Sequence, residues 1–342
     1  MRVLKKSWLP AIGVIILSGS LVTEAAEDKG PEFYGMFYLS MDLQKTENTS
    51  EPLKSEPSHW AMNSRGSRLG VRQEIPLNPD LTAIYKAEFG LEVDDGDKGG
   101  EVVTQRDIYL GVKGAYGQVI AGRFDTPLSD TEGKIDPFNY LLGDIAAVLG
   151  GLARVNNIVR YSTPTLANTV INIAFVPGKN KDLDNDGIND TRLANAYSAS
   201  AVYSVGNLYA ALGLDKNMEA KTTTEIIDRS DRVQLAAKYQ LGNATFGTII
   251  QHAKDTNNSQ LKETAFIVNT TYRIDAYTLK AQYGLNKGDS TNNERAMAAV
   301  GVNYNLTGQS FVSVNYGTRD VDTKGVTKVS DNALTFAYSL RF

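Results

Sequence analysis

Through the closing stretch NALTFAYSLRF the side chains change character at every second position. Leu334, Phe336, Tyr338, Leu340 and Phe342 share one face, and Thr335, Ala337, Ser339 and Arg341 share the other. That is the period of a β-strand whose two faces meet different surroundings. The same split recurs in VQLAAKYQL, where Val233, Leu235, Ala237, Tyr239 and Leu241 oppose Gln234, Lys238 and Gln240. It recurs again in YTLKAQYGL, where Tyr277, Leu279, Ala281, Tyr283 and Leu285 oppose Thr278, Lys280 and Gln282. Across the chain the second face also carries Lys86, Glu88, Lys113, Asn269, Arg273, Asn303, Asn315 and Arg319. Such a face cannot fill a dry core, because an unpaired buried charge is too costly. Either the charged faces look outward from a soluble sandwich, or lipid lies outside a closed wall and water inside it.

The connections favour the second arrangement. Tight turns fall at 78–80, 115–117, 163–168, 206–207, 242–243, 275–276 and 307–309. Between them lie long polar connections near 44–66, 93–103, 126–155, 178–192, 217–229, 255–261, 287–294 and 320–331. Seven turns and eight loops imply sixteen strands, with both termini on the tight-turn side. An even strand count with short turns at one end and long loops at the other is the pattern of an outer-membrane barrel. Tyr161, Tyr239, Phe246, Tyr272, Tyr277, Tyr304, Phe311 and Phe342 fall near the tight-turn end, where an aromatic girdle would mark the membrane interface. The expected fold is all-β, a 16-stranded antiparallel transmembrane β-barrel, wide enough at that strand count to hold water.

Residues 1–25, MRVLKKSWLPAIGVIILSGSLVTEA, follow the plan of a cleaved signal peptide: a basic start, a short apolar run and small Thr23 and Ala25 before the cut. The run is too short for a membrane helix and is broken by Pro10, Gly13 and Gly19. Its removal takes away Arg2, Lys5, Lys6 and Glu24, leaving residues 26–342 as one barrel domain with 32 basic and 38 acidic side chains, a net charge of −6. That balance gives no reason to expect a nucleic-acid partner. The chain has no Cys and two His, His59 and His252, so thiolate and multi-histidine metal centres are ruled out. No apolar run long enough for a helical span follows residue 25, so a membrane location requires a barrel.

Four segments carry a resemblance: NSRGSRLGVRQEIPLNPDLTAIYKAEFGLE (63–92), TQRDIYLGVKGAYGQVIAGRFDTPL (104–128), VNNIVRYSTP (155–164) and the terminal Phe342. In order and spacing the chain resembles the general porins of Gram-negative bacteria, on the neisserial-type and proteobacterial branch. The resemblance implies a homotrimer in the outer membrane, in contact with lipid and lipopolysaccharide and passing small hydrophilic solutes. It also implies a C-terminal signal, here Tyr338 and Phe342, read by the barrel-assembly machinery. The third outer loop is expected to fold into the lumen as a constriction. That loop carries Asp130, Glu132, Asp136 and Asp144 against Lys134 alone. Asp136–Pro137 has the form of an N-cap and first helical residue, and predicts a short helix to about Leu142. Opposite the loop, the resemblance places Arg68 and Arg123 facing the lumen. Arg160 has the inward parity of its strand, as do Arg72 and Lys86 at a deeper level.

The stretch DLDNDGIND, 182–190, imitates a calcium loop. Asp182, Asp184, Asp186, the Ile188 carbonyl and Asp190 stand at positions 1, 3, 5, 7 and 9, with Gly187 at 6. Position 12 is Leu193 rather than the bidentate Glu, and alternating strands rather than helices flank the stretch. It reads as the fourth outer loop, with at most a weak Ca2+ site; no other cofactor is expected. If calcium binds there, exchanging Asp184 and Asp186 for Asn removes any calcium-dependent rise in melting temperature, and an unchanged rise rejects the site.

Passive diffusion through a general channel is the expected function. A substrate-selective channel for a sugar or a particular anion would use the same barrel. An enzyme would need a His-centred constellation that His59 and His252 do not form in the sequence, and an adhesin would plug its lumen.

Overall fold

The computed structural model describes residues 30–51, 54–94, 101–178, 191–219, 229–289, 293–324 and 326–342. Seventeen strands are present among them: β1 Glu32–Asn48, β2 Glu56–Ser64, β3 Arg68–Asn78, β4 Leu81–Leu91, β5 Val103–Gly114 and β6 Gly117–Asp125. Next come β7 Arg154–Ser162, β8 Thr169–Val176, β9 Ala196–Val205, β10 Leu208–Glu219, β11 Arg229–Leu241 and β12 Ala244–Asp255. β13 Lys262–Ile274, β14 Tyr277–Gly288, β15 Glu294–Asn305, β16 Ser310–Thr323 and β17 Thr327–Arg341 complete the wall.

Apart from β2 and β3, neighbouring strands in sequence pair antiparallel, and β17 returns to β1 in unbroken register from Met36↔Arg341 to Asn48↔Val329. On its other side β1 pairs first with β3, at Glu32↔Arg72 to Met36↔Arg68, and then with β2, at Leu39↔Ser64 onward. β2 and β3 are therefore one stave interrupted at 65–67. Sixteen staves close on themselves, and closure leaves no strand edge unpaired in lipid.

The two faces separate as the alternation implies. Leu110, Leu235 and Val300 on the outer face are 65, 54 and 57% exposed, whereas Gln234, Gln282 and Asn315 on the inner face are buried. The tight turns open on residues that tolerate the left-handed region: Gly206 at φ 53°, Gly242 at φ 58° and Asp275 at φ 49°. Seven of the eight girdle aromatics in the sequence reading are exposed on the outer face, Phe342 among them, stacked on Phe37 at 5.8 Å. Phe311 differs. It pairs with Ser339 and meets Tyr38 edge-on at 5.8 Å, both on the inner row, so it leaves the girdle. Tyr338 is exposed on the outer face, and the backbone of Phe342 exchanges hydrogen bonds with Gly35 at 2.9 and 3.2 Å across the closure.

Strands outrun their apolar pattern. The expected first loop at 44–66 is mostly ladder, with β1 continuing to Asn48 and β2 starting at Glu56. The expected loop at 320–331 shrinks in the same way, because β16 and β17 stay paired to Thr323↔Thr327. Past the lipid the side chains turn polar on both faces, but backbone pairing continues, held by contacts such as Thr46 to Asp331 at 2.7 Å and Arg319 to Asp331 at 2.6 Å.

Candidate functional site

Between β6 and β7 the segment 126–153 leaves the wall. It starts with a four-residue helix, α1 Pro127–Asp130, whose N-cap Thr126 hydroxyl accepts from the Ser129 amide. The helix expected from Asp136 does not form. Tyr140 takes φ 70°, outside the helical region, and its amide is captured by the Asp144 carboxylate at 2.6 Å. Asp144 also caps the 3-10 turn Ile145–Ala147 through the Ala146 amide at 2.7 Å. Asp136 accepts from the amides of Phe138 at 2.8 Å and Ile145 at 3.1 Å and from the Gln282 amide at 2.9 Å. Both carboxylates thus fold the segment on itself.

The segment lies against the inner-row side chains of β9 to β17 and of β1. Lys238 donates to the Gly133 carbonyl at 2.8 Å, Lys280 to Pro137 at 3.0 Å, Gln282 to Gly143 at 2.8 Å and Asn286 to Val148 at 2.7 Å. Apolar contacts reinforce them. Ile145, Val148 and Leu149 bury against Ala236, Ile249, Ala265, Ile267 and Met297, and Phe138 and Leu141 against Met36, Tyr38, Ala299 and Ala337. Each large apolar side chain buried this way is worth roughly 1.5–3 kcal/mol. Room is made by small wall residues: a Cβ on Gly284 would stand 2.9 Å from the Val148 side chain, and one on Gly247 2.8 Å from that of Ile135. Among these staves the inner row mixes small, apolar and amide-bearing residues where the segment rests, with Lys238 and Lys280 turned to its carbonyls.

Across from it, β3, β4, β5 and β7 carry long charged side chains. The β4–β5 ladder shifts register between Ala87↔Ile108 and Phe89↔Gln105, so Glu88 faces Arg106 and Asp107 together. This two-against-one bulge turns both side chains inward. Arg106 binds Glu88 at 2.6 Å, and Lys86 lies 3.5 Å from Glu88 and 2.7 Å from Asp107. Arg154 binds Asp107 at 2.6 Å, and Arg68 lies 3.9 Å from Glu88. Arg160, on the inner row, binds Asp130 of the segment at 2.6 Å and sits 5.0 Å above the Phe124 ring. Arg72 is closer to the tight-turn end, bidentate to Glu32 at 2.6 and 2.9 Å and 5.3 Å above Tyr34.

Arg123 is not in this group. Its Cα pairs with Ile108, in the outward row of Leu110 and Val112, and its guanidinium reaches Asn156 at 2.7 Å. Alternation along β6 keeps Ile120, Gly122 and Phe124 inward, so Arg123 falls on the outward face by parity alone. The register shift beside it adds its extra residue on β7, where Asn156 and Asn157 stand against Arg123. Conversely, Arg106, Asp107, Arg154 and Tyr140 join the cluster without having been picked out. The bulge hides the first two from an alternation count, and Arg154 and Tyr140 lie at loop positions where no period operates.

Glu132 is half-buried in the segment. Its burial, with Asp136, Asp125, Asp144 and Asp130 nearby, pushes its carboxyl up to about 8. A raised carboxyl contributes stability that is complete below the ordinary carboxylate range and is lost as pH rises through about 8. The melting temperature of the folded protein is therefore expected to fall as pH rises from the ordinary carboxylate range to about 8 and to level off above it, and Glu132→Gln is expected to flatten the dependence. An identical slope in the variant would remove Glu132 from the account.

Asp182, Asp184, Asp186, Ile188 and Asp190 lie outside the described residues, as do residues 1–25. Among the described residues no group of three His, Asp or Glu side chains is arranged to hold a metal ion.

Comparison with known proteins agrees with this architecture. The major outer membrane protein P.IB of Neisseria sicca is 24% identical over 175 residues, 50% of this chain and 48% of that protein, so the chain spans about half the length of this relative. The anion-selective porin from Comamonas acidovorans superposes with a TM-score of 0.72 at 18% identity, covering 92% of this chain and 99% of that one. The trimer form of OmpT from Vibrio cholerae superposes with a TM-score of 0.64 at 19% identity, covering 92 and 99%. The profile of the Gram-negative porin family matches residues 13–324, and with the closed sixteen-stave wall it places this chain in that family.

Proposed function

We propose that the chain forms a water-filled channel of the outer membrane, through which small hydrophilic solutes and ions diffuse passively, without catalysis. The observation that carries this reading is the division of the inner wall. Staves β10 to β17 receive the segment 126–153 on small, apolar and amide side chains, with Lys238 and Lys280 spent on its carbonyls, whereas Arg68, Lys86, Arg106, Arg154 and Arg160 stand on the opposite arc. Groups of this kind need water or partners, and the closed wall is wide enough to enclose both. In this reading the segment is the constriction, and Asp130 meets the basic arc at Arg160 to set a transverse field that orients dipolar solutes and biases ions.

A homotrimer is part of the proposal, supported by the trimer form of the similar OmpT fold. Lipid and lipopolysaccharide would meet the exposed apolar outer face, and Tyr338 with Phe342 would serve as the assembly signal. The weak calcium site at 182–190 stays a proposal from ligand spacing. Liposome swelling with neutral sugars of increasing size tests the general channel. Rates that fall smoothly with solute size support it, and one sugar crossing far faster than its size allows would instead make the channel substrate-selective.

A further inference from the structure

Tyr140 occupies an unusual seat. Its hydroxyl oxygen accepts from Arg68 Nη1 at 3.2 Å and from Arg106 Nη2 at 3.1 Å. Its carbonyl accepts from Arg65 Nη1 at 3.3 Å, and its ring centroid lies 6.0 Å from the Arg68 guanidinium. The backbone is shaped to put it there. Tyr140 is held at φ 70°, and the gap between β2 and β3 places Gly66 at φ 71° against the ring. A Cβ on Gly66 would stand 2.6 Å from the Tyr140 ring, so the break in that stave is also what makes room for the aromatic side chain.

Two guanidiniums converging on one oxygen describe a place for an oxyanion. Local charge agrees: Arg68, Lys86 and Arg106 surround a single carboxylate, Glu88, which Tyr34 also contacts at 2.9 Å. Arg65 is already paired with Asp42, and Asp107 is shared by Lys86 and Arg154. A neutral phenol oxygen therefore fills a position that a carboxylate or phosphate oxygen would fill with greater affinity. We propose that Arg68 and Arg106 form an oxyanion subsite in the lumen and that Tyr140 masks it, lowering the attraction of the channel for anions. The inference rests on the channel reading for its role in transport, but the subsite itself does not.

Tyr140→Phe is the informative variant, because it keeps the ring and its packing and removes only the acceptor oxygen. Isothermal titration calorimetry on the detergent-solubilised protein reads binding of inorganic phosphate and, separately, of malonate, independently of conduction. The expected result is about tenfold tighter binding of at least one of them to Tyr140→Phe than to the native chain, as hydrogen bonds from guanidinium to an anionic oxygen replace those to an uncharged hydroxyl. Binding by phosphate alone would assign the subsite to phosphorylated solutes, and binding by malonate alone to carboxylates. In a salt gradient across a planar bilayer, the reversal potential of the variant is expected to move toward anions with the total conductance little changed. Equal affinity in the two proteins overturns the proposal, as does a conductance increase shared equally by both ions, which would mean that the segment had merely loosened. Absence of conduction in the native protein would defeat the channel reading, and the calorimetry would still decide the subsite.

Discussion

Asp136→Ala is expected to release the inward segment and raise the conductance of the channel. The carboxylate holds together three donors: the Phe138 amide, the Ile145 amide and the Gln282 side chain. Leaving a buried donor unsatisfied costs about 1–3 kcal/mol, so the segment loses several kcal/mol of local stability. That is comparable with the burial of two of its apolar side chains, and the loop should populate detached arrangements. The measurement is single-channel recording together with proteolysis of the segment in the folded protein. Larger and noisier current steps are expected, with faster cleavage between 126 and 153. Asp136→Asn provides a graded comparison. It keeps an acceptor for Phe138 and Gln282 but sets its own amide donor against the Ile145 amide, so it should fall between alanine and native. Native conductance and native proteolysis in the alanine variant would show that the apolar contacts alone hold the segment.

Reversing the charge at Lys86 is expected to have the largest effect on ion preference. Lys86 stands between Glu88 and Asp107 at 3.5 and 2.7 Å. Lys86→Glu converts that array into three neighbouring carboxylates and leaves Arg68, Arg106 and Arg154 to neutralise them. In a tenfold salt gradient the reversal potential should move toward cations by on the order of 10–30 mV, because fixed charge in a narrow, partly dehydrated zone acts on permeating ions with little screening. Lys86→Gln should give a smaller shift of the same sign. Arg123→Ala should leave the potential near native, since Arg123 lies on the outward row.

The wall was legible from residues because lipid imposes a strict rule: every second side chain in a spanning strand must be apolar. That rule produced the staves, the tight turns and the wet inner face, and it failed where lipid no longer acts. β1, β2, β16 and β17 continue as polar ladders beyond the apolar band, so the first and last outer connections were drawn too long. Parity also fails at bulges. The extra residue at Arg106–Asp107 brought two unforeseen charges inward. Arg123 is the opposite case: the plain alternation of β6 sets it outward, against the lumen placement that the resemblance implied. The path of the segment 126–153 left a trace that could have been read. Inward positions of the later staves hold Gly213, Ala236, Gly247, Gly284, Ala299 and Gly317, whereas inward positions of the earlier staves hold Arg68, Arg72, Lys86 and Glu88. Small residues on one arc and long charged ones on the other mark where a loop lies and where water is left. The acids of that segment were harder to sort. Asp136 and Asp144 resemble Asp130 in sequence, but they spend their oxygens on nearby amides, and only the folded backbone shows which amides are within reach.

Stepwise current through single protein units in a planar bilayer tests the central claim most directly, with the salt concentration varied from dilute to concentrated KCl. Sixteen staves around an aqueous lumen should give discrete conductance steps that rise nearly in proportion to the conductivity of the bulk solution. A folded, membrane-inserted protein that carried no current at any salt concentration would contradict the account.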